Sequence, residues 1–498
     1  MSEPLLIKLS NPLRVLLGLL CAAAGGLAFV LAFPPFEIWP LIFIGWVLVL
    51  FAQFRLMPRK LGSLASALGL FVWLQGYLGR VFAPVGSYMA YLPLILSVFT
   101  LFAEMSLLRF HEKTGYRWFV ASGVANWAGT ELIRLFVPIA GTWAFIATPL
   151  FRQVWLIQPV SVFGIIGLGA LIYWVNLALT LMLMGLFDQR WKLDDAVVAI
   201  SDRQWKRWML SAGVTLAAWI ILSLVLLRPM DTPRVTVAAV QPAVSPIINA
   251  NQGHADLVEA LHARMLEQTR QAADQGARLI AWPEGGFLWD PQVEDKLGLA
   301  GLAQETNSYL AVGYVVNIQE GLFRNEATVI DPQGRFLGVF GKDHPVVFGG
   351  ETSPTRGTYP VYDTEIGKLG TIICYDLDYT DTARKLVRQG AQLIAVPSND
   401  WTTIAGIHYT HLVFRAVENR VAMVKADGGF DSAIIDPYGR IVSLASCTEG
   451  CEATVVGEVQ LGSGAGTLNT RLGDWVGWLA LAGMFFFIFS SGWLAKKA

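Results

Sequence analysis

Eight apolar stretches run through this chain, and they leave little freedom in how it can fold. Seven lie at 13–33, 38–56, 62–83, 88–108, 118–137, 156–187 and 208–228, and the eighth at 475–494. As helices they are long enough to cross ~30 Å of hydrocarbon, where each backbone N–H and C=O must be paired internally. Only 15% of the 498 residues are charged, against roughly a quarter in soluble domains, so the excess apolar surface is expected to face lipid. The first stretch follows Lys8 and Arg14 as a signal peptide would. It runs on to Phe33-Pro34-Pro35 without a small-residue cleavage pattern, and six more stretches follow before the composition changes. The net charge of −1 gives no footprint for nucleic acid.

Basic residues set the expected orientation. With the N-terminus inside, the inner loops carry Arg55, Arg59 and Lys60, then Arg109, Lys113 and Arg117, then Arg190, Lys192, Arg203, Lys206 and Arg207. The tail carries Lys496 and Lys497, while the opposite loops carry little beyond Arg80 and Arg152. The expected domains are a membrane bundle at 1–228, an outer domain at 229–472, and a final span with a short cytoplasmic tail at 473–498. Inside the bundle, Glu131 and Arg134 stand three residues apart on one helix. They are read as a structural ion pair, the alternative being the wall of a cavity beneath the outer domain.

From Arg234 the pattern changes to strands alternating with helices. PRVTVAAVQP, RLIAWPE, YLAVGYVVN, KLGTIICYD, AQLIAVPSND and VAMVKADGG read as strands. EATVIDPQGRFLGVF and SAIIDPYGRIVSLA read as hairpins turning at DPQG and DPYG. Alternating elements with two internal hairpins predict a layered α/β sandwich. Three residues stand at strand ends: Glu284 in IAWPEGG, Lys342 in VFGKDHP and Cys374 in GTIICYDLDY. A carboxylate, an ammonium and a thiol are the parts of a covalent amide- or ester-transfer site. Cys374 would attack as thiolate, Glu284 would move its proton, and Lys342 would stabilise first the thiolate and then the oxyanion. The N–H of Tyr375 is a natural second oxyanion donor. A lone strand cysteine would be packing; the three together point to catalysis. Cys447 and Cys451, in CTEGC, either pair in an oxidising compartment or remain two thiols in a surface loop. His408 and His411 are expected to line a loop or cap a helix rather than hold a metal, and no metal or organic cofactor is expected.

The motifs VAAVQ, WPEG, RNEATVIDPQG, GKDHPVVFGGE, ICYDLDY, VPSND and RAVENR occur in this order across 234–460. In them the segment resembles the nitrilase (carbon–nitrogen hydrolase) superfamily, which implies an αββα sandwich beside the eight-span bundle. Its place between seven spans and one, together with TELIRLFVPIAGTWAFIATP and QPVSVFGIIGLG in the bundle, is similar to the apolipoprotein N-acyltransferase class. The resemblance implies that Glu284, Lys342 and Cys374 are catalytic. It implies transfer of an acyl chain from a phospholipid, via a cysteine thioester, to the N-terminal amine of a diacylglyceryl-cysteine lipoprotein. The implied setting is the bacterial cytoplasmic (inner) membrane, with the catalytic domain outside and the bilayer, the donor lipid and the acceptor lipoprotein as partners of a monomer.

The class has a glutamate eight residues after the lysine; here that position is Gly350, and Glu351 comes one later to support Lys342. It has Tyr-Glu after the cysteine, where this chain has Tyr375-Asp376. Asn325 and Asn399 either touch the site or serve as turn residues. Two other readings compete: a membrane-tethered amidase or nitrilase using water, and a non-catalytic derivative. Trp282, Phe287, Leu288, Trp289, Phe348 and Trp401 flank the motif loops and favour an apolar, lipid-facing mouth.

Overall fold

The computed structural model describes residues 5–6, 9–83, 91–139, 141–192, 197–251, 253–319, 322–347 and 350–496. Among them, seven helices are long and apolar enough to cross a membrane. Six precede the α/β domain: α1 (Asn11–Ala32), α2 (Trp39–Leu56), α3 (Arg59–Val81), α4 (Leu92–Lys113), α6 (Val160–Asp188) and α7 (Asp202–Leu226). The seventh, Trp475–Leu494, follows it.

The stretch expected to span at 118–137 forms a shorter helix, α5 (Phe119–Arg134), of 16 residues. At 1.5 Å per residue it is about 24 Å long, less than the hydrocarbon thickness. Pro138, which has no N–H to continue a helix, follows its last turn. Glu131 and Arg134 do not form the expected ion pair; each holds the chain that doubles back after α5. Glu131 Oε1 accepts from Trp127 Nε1 at 3.2 Å and from the Ile146 N–H at 3.3 Å. Arg134 donates to the carbonyl oxygen of Trp143 and lies over the Phe145 ring.

The α/β domain is built on two six-stranded sheets. The first contains β1 (Arg234–Pro242), β2 (Leu279–Ala281), β3 (Tyr309–Gln319), β4 (Leu322–Ile330) and β5 (Phe336–Gly341), with β12 (Glu452–Gln460) antiparallel beside β1. The second runs β11 (Ile441–Ser446), β10 (Asp431–Ile435), β9 (Ala422–Asp427), β8 (Leu393–Ser398), β7 (Gly367–Thr371) and β6 (Val361–Thr364). The centre of each sheet is parallel (β1–β2–β3 and β7–β8–β9), and both expected hairpins, β4–β5 and β10–β11, are present.

Side chains alternate across each strand. Val237 and Ala239 of β1 therefore enter the core between the sheets, with Leu393, Ala395 and Val424. Ala238 and Val240 point the other way, toward Met265 and Ala272 of α8 (Ala255–Asp274) and Leu302 of α9 (Leu299–Thr306). On the second sheet, Ile394 and Val396 pack with Leu386 of α10 (Asp381–Arg388) and Leu412 and Val413 of α11 (Tyr409–Asn419). This last layer lies between the sheet and the bundle, and one apolar cluster runs unbroken from Phe29 of α1 to Met423 of β9. The helix α6 breaks at Gly164, where φ is 69°, a conformation natural to glycine. The Ile165 N–H there donates to Glu418 Oε1 of α11 at 3.0 Å.

Candidate active site

The two sheets meet at the site: the Glu284 N–H, after β2, donates to the Ser398 carbonyl at the end of β8 at 3.2 Å. This approach requires Gly313 on β3. A side chain there would come within 2.9 Å of the Glu284 Cα and 2.8 Å of Pro397. Lys342 follows β5, and its N–H is held by the Asn325 carbonyl at 2.9 Å. The apolar β7 run ends at Ile373, and Cys374 opens a short 3-10 turn, Cys374–Asp378.

Glu284 and Lys342, far apart in sequence, are in direct contact. Lys342 Nζ lies 2.8 Å from Glu284 Oε1, and 3.0 and 2.8 Å from the two oxygens of Glu351. The one-residue displacement of this glutamate therefore leaves it within reach of the lysine. Asn325 Nδ2 donates to Glu284 Oε1 at 2.6 Å and also to Glu351, tying the carboxylates together. Lys342 is 1% exposed. Burial opposes its charge, but Glu284 and Glu351 outweigh it and hold the ammonium well above the usual lysine range.

Cys374 is buried, and its backbone has φ of 43°, a left-handed conformation that non-glycine residues seldom adopt. Such local strain is characteristic of functional turns. Burial pushes its thiol well above the usual range, the Glu284 charge adds to this, and Lys342 opposes it. A thiol held up in this way needs a base to become a nucleophile.

Asp376 is tied to the lysine loop by position. Its Oδ1 accepts from the N–H groups of Asp343 and His344, at 3.1 and 2.8 Å, and its Oδ2 from the Ile373 N–H at 2.9 Å. The aspartate thus pins the residues after Lys342 to the residue before Cys374. Burial pushes its pKa up to about 7 against the pull of His344 and the amides. Tyr375 is buried, its ring edge-on to Tyr379. Asn399 stands against Gly428 at the end of β9, in the same loop cluster as Ser398.

The expected apolar mouth divides. Trp282 and Phe287 are buried in the layer between the first sheet and α8, because Trp282 Nε1 finds Thr269 Oγ1 at 2.9 Å and Phe287 stacks on Tyr314. Leu288 and Trp289 are half-buried, and Trp289 lines a cleft with Val258 and Leu266 of α8. Trp401 Nε1 donates to the Val81 carbonyl at the end of α3, so this ring lies at the seam with the bundle. Phe348 lies outside the described residues.

Sequence reasoning missed the charges behind the cysteine. His408 and His411 are buried; neither lines an open loop, but His408 stands at the N-cap position of α11, without a side-chain capping bond. His408 Nδ1 lies 2.7 Å from Asp400 Oδ1, and His411 Nδ1 lies 2.6 Å from Asp378 Oδ1. Donor atoms of Cys374, Asp400 and His408 lie within 4.8 Å of one another. Two histidines three apart after an Asn-Asp strand end were the available signal. Cys447 and Cys451 form a disulfide.

Residues 236–467 match the carbon–nitrogen hydrolase family model, and residues 25–178 match the apolipoprotein N-acyltransferase N-terminal domain. An apolipoprotein N-acyltransferase of Geobacter metallireducens is 27% identical over 509 residues, covering 93% of each chain. One of Synechocystis is 26% identical over 73% of this chain and 72% of its own. A mouse omega-amidase, NIT2, is 27% identical over 37% of this chain and 79% of its own. Among solved structures, an amidase from Nesterenkonia sp. is 22% identical with a TM-score of 0.37, covering 47% of this chain and 93% of that one.

The fold and the matched domain define an enzyme of the carbon–nitrogen hydrolase type joined to a helical membrane bundle. The second matched domain ahead of it, and relatives that align across both, support an apolipoprotein N-acyltransferase of the nitrilase superfamily.

Proposed function

We propose that this protein moves an acyl chain from a phospholipid to the N-terminal amine of a diacylglyceryl-cysteine lipoprotein, through a thioester on Cys374. The observation that carries the reading is the contact of Glu284 with Lys342 beside a buried thiol, in a chain that carries both acyltransferase domains. Glu284 takes the thiol proton as sulfur attacks the ester carbonyl. Lys342 faces the oxyanion with the Tyr375 N–H, and the C–O bond breaks as Glu284 returns the proton to the departing lysolipid. The acceptor amine then attacks the thioester, Glu284 takes its proton, and the thiolate leaves. Glu351 and Asn325 fix Lys342 and Glu284, and Asp376 fixes the turn that carries Cys374. Asn399 belongs to the cluster at the strand ends.

Residues 229–472 stand outside the cytoplasm of a bacterial inner membrane. The basic loops support this orientation, and so does the Cys447–Cys451 disulfide, since disulfides persist in oxidising compartments. The unbroken apolar contact between the α11 layer and the bundle supports a site close to the bilayer.

The test is transfer in two stages. Phospholipid alone should load Cys374 and stall; adding a diacylglyceryl-cysteine peptide with a free amine should release the chain as one amide. A thioester in a dry cleft waits for a nucleophile that can enter, whereas an amidase must admit water. Steady release of free fatty acid without peptide would establish water as the acceptor and overturn the transfer reading.

A further inference from the structure

A second set of charges lies behind Cys374, and the acyl-transfer steps do not use it. Ser398 Oγ, on the last residue of β8, donates to Asp400 Oδ1 at 2.9 Å, and its hydroxyl pulls the pKa of the Cys374 thiol down. A hydroxyl has one hydrogen to give. Asp400 has other donors: His408 Nδ1 reaches Oδ1 at 2.7 Å, and Lys425 Nζ reaches Oδ2 at 2.7 Å. The second nitrogen of His408 stands 3.3 Å from Asp378 Oδ1. Nε2 is not aligned to donate there, but a carboxylate beside each nitrogen favours the charged ring.

The surrounding groups agree. Asp378 and Cys374 face His408 from the nucleophile turn and Asp400 from the β8 end, while Lys425, from β9, pairs with Asp400 and lies 3.5 Å from Asp427. Asp431, from β10, accepts the Tyr409 N–H beside it, and His411 and Arg415 share its helix. Burial opposes a charge on His408, but Asp400 and then Asp378 outweigh it and push its pKa up to about 10. The bundle closes the far side: Trp143 Nε1 donates to Asp378 Oδ2 at 2.6 Å, and its indole stacks on the His408 ring.

We propose that His408 is a positioning residue for the nucleophile. By satisfying Asp400 it leaves the Ser398 hydrogen free to turn to the Cys374 thiolate, and it cancels a carboxylate charge that stands within 4.8 Å of that sulfur. This rests on Cys374 being the nucleophile proposed above, and it is tested on the thiol itself, so its failure and that of acyl transfer are distinguishable.

The experiment is iodoacetamide alkylation of Cys374 in the full-length protein in detergent, read by peptide mass spectrometry across pH. A thiol pKa raised by one unit slows alkylation about tenfold wherever the thiolate is the minor form. His408→Gln should slow it at least about tenfold near neutral pH, move the profile to higher pH, and recover at the alkaline end. Adding Asp400→Asn should bring the rate back toward wild type, because the carboxylate left with Lys425 as its one charged partner is gone. Ser398→Ala should shift the profile in the same direction by a smaller factor. An unshifted profile in folded His408→Gln overturns the proposal, and so does an unshifted profile in Ser398→Ala, which tests the same chain if His408→Gln does not fold.

Discussion

Replacing Glu351 by alanine isolates what the displaced glutamate does. Its carboxylate accepts twice from Lys342 Nζ, once from Asn325 and once from the Val346 N–H at 2.7 Å. Orphaning a buried charge altogether costs about 3–5 kcal/mol. Here Glu284 still holds Lys342 and Asn325. The half-exposed Val346 N–H can turn to water. The loss therefore reduces to a charge-assisted hydrogen bond, about 1.5–3 kcal/mol, read as a fall in thermal unfolding temperature in detergent. The effect on rate should be larger than this stability loss alone implies. With one anchor the ammonium can leave the line of the developing oxyanion, and losing such a group costs on the order of 10²–10³ in rate. Single-turnover acyl loading of Cys374 measures it. Glu351→Gln should fall between wild type and alanine, since its amide oxygen accepts one bond but carries no charge. If Glu351 acts through Lys342, Glu351→Ala added to Lys342→Met should cost little more than Lys342→Met alone. Wild-type loading in Glu351→Ala, or full additivity in the double variant, refutes the reasoning.

Three further outcomes follow from the same geometry. Glu284→Gln and Lys342→Met should each lower loading by about two or more decades, with the fold intact by circular dichroism. Reporter fusions active only in the cytoplasm should be silent at Gly253 and active at Lys60; activity at both contradicts the orientation. The His408 pKa of about 10 lies above its unfolded value of about 6.5, so the folded state binds the extra proton between them. The stability this gives is complete below about pH 6.5 and is lost as pH rises through about 10, at up to about 1.4 kcal/mol per unit. Unfolding followed across this window should show that decline in the wild type and a flatter one in His408→Gln.

The strands, the two hairpins and the trio of Glu284, Lys342 and Cys374 were legible because their signals are local. Each strand is an apolar run with a marked end, and Glu284, Lys342 and Cys374 each sit one to three residues past such an end. Glu351 was legible as a candidate, but its reach depended on how the loop after Lys342 folds, which spacing alone does not fix. The network behind the cysteine was not legible. Asp378 is an ordinary acidic residue in sequence, and its partners lie far off: His411, 33 positions away, is brought to it by the fold of the domain, and Trp143, 235 positions away, by packing of the domain on the bundle. The same cause defeats the local reading of Glu131 and Arg134. Helical spacing allows them to pair, but the chain returning after α5 offers each a closer partner. Trp282 and Phe287 were misread as rim because aromatic residues beside a motif look alike whether they line a mouth or a core.

The central claim is a covalent acyl-enzyme on Cys374. Intact-protein mass spectrometry after incubation with a phospholipid of defined chain length tests it most directly. The account predicts one added acyl mass on wild type, mapped to the Cys374 peptide, removed by hydroxylamine and absent from Cys374→Ala. No adduct while the peptide is still acylated, or an adduct that persists in Cys374→Ala, would contradict it.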